Sequence, residues 1–259
     1  MKKIIYDLEK NLNKILYVHY SCENLSDNNE GLSPRITSIA VYFHDESSLK
    51  SFAFNIAAEK LHINRDDIDN DLDIIEKKLL EDFFDFVKDH YDFYWVHWNM
   101  SNMNFGFDAL EHRYEVLNNK KATHIPEEKR FNLSKLIALK YGSNYADDPK
   151  MKNLMLLNWD KLPRDFLDGK EEVEAFNNKD YIKMHKSTIS KVKFFRYIFI
   201  KLIHNEIKTK KKNWKLIFKE LFEKPFFQIL SIMSILITVV GGIKSLINCF
   251  IDLISKCIK

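Results

Sequence analysis

The sequence predicts an α/β fold, a mixed sheet flanked by helices, and three observations predict it. Residues 15–23, 35–44 and 48–58 are rich in β-branched and aromatic residues, in the pattern of three successive strands. From Asp71 the apolar period lengthens to that of a helix. A further apolar run, "DFYWVHW" at 92–98, has the length of a buried strand, and helical patterns follow it. Strands, then helix, strand and helices, assemble as a mixed sheet with helices packed on it.

Each element has its own signal. "ILYVHYSCE" (15–23) reads as the first strand, and Asp27, Asn28, Asn29, Gly31 and Pro34 form the turn after it. "RITSIAVYFH" (35–44) alternates as a second strand, and "SLKSFAFNIAA" (48–58) reads as a third. Leu72, Ile75, Leu79, Phe83, Phe86 and Val87 make the apolar face of the first long helix. "NFGFDALEHRYEVL" (104–117) is helical, with Phe107, Leu110, Tyr114 and Leu117 on one face. The helix "FNLSKLIALKYG" (131–142) stops at Gly142, and "PKMKNLMLLNW" (149–159) starts at a proline. Asp168-Gly169 reads as a turn, "KEEVEAF" (170–176) as a short helix, and Asp180 to Val192 as the start of a long basic helix.

A chain of 259 residues accommodates one domain of about 150–200 residues and an appendage. Its 46% hydrophobic content excludes disorder, and six Gly and five Pro favour long regular elements. Cys22, Cys249 and Cys257 lack metal-ligand spacing, which suits a reducing compartment. Charge is segregated. Residues 1–180 hold 24 Lys and Arg against 33 Asp and Glu, whereas residues 181–225 hold 13 against three. An acidic body followed by a basic neck points to a polyanion or an anionic membrane near the neck.

After Pro225 comes "FFQILSIMSILITVVGGI", 18 uncharged residues at 226–243. It is apolar on all sides, which predicts one C-terminal transmembrane helix. The basic tract from Lys208 to Lys219 precedes it, with Trp214 and Phe218 as interfacial anchors, and would meet the anionic inner leaflet. The positive-inside bias places the N-terminal body in the cytoplasm, and the opening "MKKIIYDLEKNLNK" has no signal-peptide core. "SLINCFIDLISKCIK" (245–259) reads as an amphipathic tail that lies on the membrane or extends the span as an oligomerising seam. The expected organisation is therefore a domain at 1–180, a basic helical neck at 181–224 that completes it, and a membrane segment at 225–259.

The order of elements over about residues 14–200 resembles the ribonuclease H-like fold of the DEDDh-type 3′→5′ exonucleases. Their first strand carries Asp-x-Glu; "SCE" puts Ser21 at the Asp and Glu23 at the Glu. "NFGFDALEHRY" puts Asp108 at their middle Asp, and "HKSTIS" puts His185 at their late His and Ser190 at the final Asp. "KMKNLMLLN" looks like their short Leu-rich helix. The resemblance implies Glu23 and Asp108 as ligands of Mg or Mn and His185 as the general base for water. Two of the four carboxylates are replaced by serine, and a hydroxyl is a poor substitute in a site that holds two cations about 4 Å apart. The expected function is a bacterial inner-membrane protein whose exonuclease-like head has lost its chemistry. The head would bind a nucleic acid, a nucleotide or a partner protein, as a homo-oligomeric defence- or toxin-type sensor or membrane effector. Two alternatives stay open. One is an active tethered exonuclease with Asp180, Asp147 or Asp148 as a missing carboxylate; the other is a membrane scaffold for a soluble partner.

Other residues carry weaker signals. Lys183, Lys186, Lys191 and Lys193 suit contacts to nucleic-acid phosphates, or else form a solvated face. Asp108, Glu111, His112 and Glu115 share one helix face, as a metal site or as a solvated acidic stripe. His97 reads as a hydrogen-bonded core residue, and "WVHWNMSNMNFGF" as core packing or a platform for bases. The acidic run 64–73 lacks the Gly and closing Glu of a calcium loop and reads as a helix N-terminal charge cluster.

Overall fold

Strand β1 (Ile15–Cys22) is buried at every position. Its alternate side chains enter two separate cores, Leu16, Val18 and Tyr20 on one face and Ile15 and Tyr17 on the other. A strand covered on both faces reads as a continuous apolar run, which is what the sequence shows at this point. The computed structural model describes residues 2–23, 34–45, 48–101 and 105–210, all within one compact unit. The expected span at 226–243, its tail and the turn at 24–33 lie outside the described residues. Among the described residues no helix is long and apolar enough to cross a membrane.

The sheet has five strands in the order β3-β2-β1-β4-β5. β2 (Ile36–Phe43) runs antiparallel to β1, with Val18 opposite Val41, and β3 (Leu49–Ala53) runs antiparallel to β2. β4 (Tyr94–His97) lies parallel to β1, and β5 (Arg130–Asn132) parallel to β4. The mixed sheet flanked by helices is thus the observed fold class. The C-terminal ends of β1, β4 and β5 open on the same edge, where loops from parallel strands usually meet ligands.

One face packs on α2 (Phe54–Lys60), α3 (Leu72–Asp89) and α4 (Phe107–Asn118). Ile75, Leu79, Phe83 and Val87 of α3 meet Trp95 and Phe52 of the sheet. The other face packs on α1 (Lys2–Glu9), α5 (Leu133–Tyr141), α6 (Lys150–Trp159) and α8 (Tyr181–Ile203). Phe195, Ile198, Phe199 and Leu202 form the apolar stripe of α8, at the spacing of one helix face. α7 (Gly169–Asn177) leads into α8. The basic helix read as a neck is therefore a core element for its described length.

Three local features depart from the expectation. The third strand ends at Ala53, and the chain turns into α2, because Phe54, Ala57 and Ala58 are buried at helical spacing and alanines favour helix. β5 forms at Arg130–Asn132, where a helix was expected from Phe131, since pairing with β4 captures three residues before Asn132 caps α5. The acidic run contains a 3₁₀ turn, Arg65–Asn70, that leads into α3. At Gly142 the backbone stops α5 with φ near 90°. An added Cβ would meet nothing within 4 Å, so the cost of Gly142→Ala is conformational alone. Chemical denaturation of that variant should show a loss of roughly 1–3 kcal/mol.

Candidate functional site

The site is built from the last turn of β1 and the inner face of α8. Asp180 caps α8 by accepting from the Lys183 amide at 3.1 Å, which starts the helix with Met184, Ser187, Thr188 and Lys191 turned inward. Asp168 caps α7 through its side chain, and Glu171 returns a bond to the Asp168 amide. That capping box fixes the first turn of α7 and points Glu172 and Ala175 toward the interior.

Ser21 therefore faces a buried ion pair. Glu172 Oε1 accepts from Lys191 Nζ at 2.6 Å, from Ser21 Oγ at 3.0 Å and from Ser187 Oγ at 3.1 Å. Thr188 Oγ1 lies 2.6 Å from Ser21 Oγ. Both charged side chains are only 6% exposed. One carboxylate, one ammonium and three hydroxyls form a satisfied network that is closed to solvent, which is the condition for burying an ion pair at all. Ser190 takes no part; its hydroxyl donates to Ser187 O within the helix.

The remaining expected site residues do not join this network. Glu23 follows β1, half-buried, and its backbone amide donates to Arg35 O. Its charge is felt at Arg113 and Tyr181. Asp108 begins α4 and is held by Arg130 Nη1 at 2.8 Å, while the same guanidinium donates to Glu111 at 2.9 Å. The acidic stripe of α4 is thus engaged by an arginine from β5. His185 lies on α8 with Nδ1 2.7 Å from Ser38 Oγ, and burial pushes its pKa down to about 4. Asp147 pairs with Lys210, and Asp180 is the α8 cap.

Lys183, Lys186 and Lys193 are exposed on α8, within an arc of about 80° at 100° per residue. Lys191 is the exception among the four expected phosphate contacts, because it is buried against Glu172. His97 is buried as expected, its Nδ1 accepting the Met100 amide at 3.1 Å. Among the described residues no three His, Cys, Asp or Glu side chains converge as a metal-ligand group.

Two residues of consequence were not singled out in the sequence. Glu172 ends a run of three charged residues, Lys170 to Glu172, and its only signal is helical spacing with Ala175 and Phe176. Glu76 is fully buried within the apolar face of α3, where it accepts from Arg113, Arg35 and the Ile36 amide. Its signal is a Glu one residue past Ile75 on a stripe otherwise apolar. These contacts tie β2, α3 and α4 together beside Glu23. The fold and this site define an α/β protein with a mixed five-stranded sheet and a closed polar network at the end of its central strand. No protein-family model, curated protein or solved structure matches the chain.

Proposed function

We propose that this chain carries a ribonuclease H-like, exonuclease-like head that binds a nucleic-acid strand without cutting it. The strand order β3-β2-β1-β4-β5, with β2 antiparallel to β1, supports the fold reading, since a ribonuclease H-like sheet has that arrangement. The observation that carries the loss of chemistry is the Glu172–Lys191 pair against Ser21. A metal site needs an unprotonated oxygen at this position. Here the Ser21 hydroxyl donates to a carboxylate, and an ammonium already supplies the positive charge. Asp108 is likewise ion-paired, with Arg130. These residues do not fit Mg or Mn, because a divalent cation beside Ser21 would face Lys191, and one beside Asp108 would face Arg130.

Binding falls to the exposed stripe of Lys183, Lys186 and Lys193, which spans ten residues of α8, or about 15 Å. Three phosphate contacts predict that log K on single-stranded DNA falls with log salt at a slope of about −2. The proposal extends to a membrane anchor at 226–243, with the head on the cytoplasmic side and the whole acting as a sensor or membrane effector. Its support is the uncharged 18-residue segment and the lysines before it.

The test uses the full chain in detergent with end-labelled single-stranded DNA and RNA and Mg or Mn. The expected result is binding with no shortening of the strand, and no gain of cleavage in Ser21→Asp. Replacing the three exposed lysines by alanine should flatten the salt dependence. Metal-dependent digestion that Glu23→Ala with Asp108→Ala abolishes would instead make this an active exonuclease.

A further inference from the structure

A cavity of about 420 Å³ opens at the C-terminal ends of β4 and β5, between the first turns of α4 and α5. Its size falls in the range of small-molecule sites. Neither Ser21, Glu23 nor His185 lines it, so it is separate from the network at the end of β1. His97, 2% exposed, lines it, and the Met100 amide fixes the tautomer of that ring. Since Nδ1 accepts, the proton sits on Nε2, which has no partner among the described residues. Burial first, then the Arg130 and Lys135 charges, lowers the His97 pKa to about 3, so the ring is neutral and a donor.

The lining carries two cations, Arg130 and Lys135, and two carboxylates, Asp108 and Glu127, so the attraction for an anion is local, to Lys135, and not to a net charge. Arg130 spends its donors on Ile125 O, Asp108 and Glu111, so Asp108 is ion-paired in the cavity wall. Lys135, exposed on the first turn of α5, has no ion-pair partner among the described residues. The acidic residue left in the lining is Glu127, which is exposed. Phe107 and Phe131 supply apolar wall.

We propose that this cavity binds a small organic oxyanion on an apolar body, whose oxygens accept from His97 Nε2 and from the Lys135 ammonium. The positive first turn of α5 adds to the attraction. The shared chemistry is the oxyanion, carried by a carboxylate or by a phosphate ester. The proposal does not depend on the nucleic-acid reading, because the lysine stripe of α8 is not part of the cavity.

The full chain, titrated with benzoate, phenyl phosphate and benzyl alcohol and followed by ligand-observed NMR, tests it. At least one charged probe should bind saturably, and whichever is tighter identifies carboxylate or phosphate. Benzyl alcohol, of similar shape without the charge, should bind at least about tenfold more weakly. Lys135→Met should weaken the charged probe about tenfold while Lys135→Arg retains it, and His97→Gln should weaken it as well. Lys135 is exposed, so its variants fold whatever becomes of His97→Gln. The proposal fails if no charged probe saturates, if benzyl alcohol binds equally well, or if Lys135→Met leaves affinity unchanged. Loss of strand binding on replacing the α8 lysines, with probe binding intact, separates the two sites.

Discussion

Lys191→Ala should destabilise the protein by about 3–5 kcal/mol, since it leaves the Glu172 carboxylate buried without its cation. The pair is 6% exposed on both sides, so water cannot replace the ammonium without opening the α7–α8 contact. Ser21 and Ser187 would remain as donors, and two neutral hydrogen bonds do not balance a buried charge. Removing both charges is a different experiment. Lys191→Met with Glu172→Leu should recover most of the loss, because apolar residues of similar volume often replace a buried pair at little cost. Urea denaturation of the two variants measures the difference. Equal stability of Lys191→Ala and the native chain would mean that the pair is solvated, and with it the account of the closed site would fall.

Acidification should weaken the fold well before the carboxylates titrate. Three buried histidines are held neutral by desolvation: His97 with its pKa lowered to about 3, His185 to about 4, and His19 well below its ordinary value. In the unfolded chain each titrates near 6.5. A folded pKa below the unfolded one means that stability is fully present above about pH 6.5. It is lost as protons bind the unfolded chain, down to the folded pKa of each histidine. Between pH 6.5 and 4 His97 and His185 each remove roughly 3 kcal/mol, an upper figure that local opening would reduce, and His19 adds to the loss in the same direction. The midpoint of urea unfolding should fall steeply below pH 6, and His185→Gln should make that fall shallower. A midpoint constant from pH 7 to 4.5 would contradict the burial of these rings. Below pH 4 the lowered carboxyls of Asp73, Asp82 and Asp168 add to the loss in the same direction.

Much of the architecture is legible in the chain because its signals are local. The continuous apolar run of β1, the helical stripe of α3, the Gly142 stop and the proline before α6 each depend on residues within one or two turns. Legibility fails where two local solutions compete. Residues 52–58 alternate well enough for a strand and space their buried groups well enough for a helix, and packing against α3 selects the helix from Phe54. β5 is three residues long, too short for periodicity to detect, and exists through its pairing with β4.

The site is less legible than the fold, for a related reason. The sequence alone determined that a serine stands at the end of the central strand, that a long basic helix follows an acidic body, and that residues 226–243 carry no charge. It placed Lys191 with three other lysines, since nothing near it in the chain marks it as buried. Only the tertiary structure decided that Glu172, 151 residues from Ser21, reaches its hydroxyl, and that Arg130, 22 residues from Asp108, pairs with it. Periodicity records which face of an element is buried. Which charge meets which inside the fold is set by how those faces are stacked, and burial makes that choice matter, because an interior charge must find its partner.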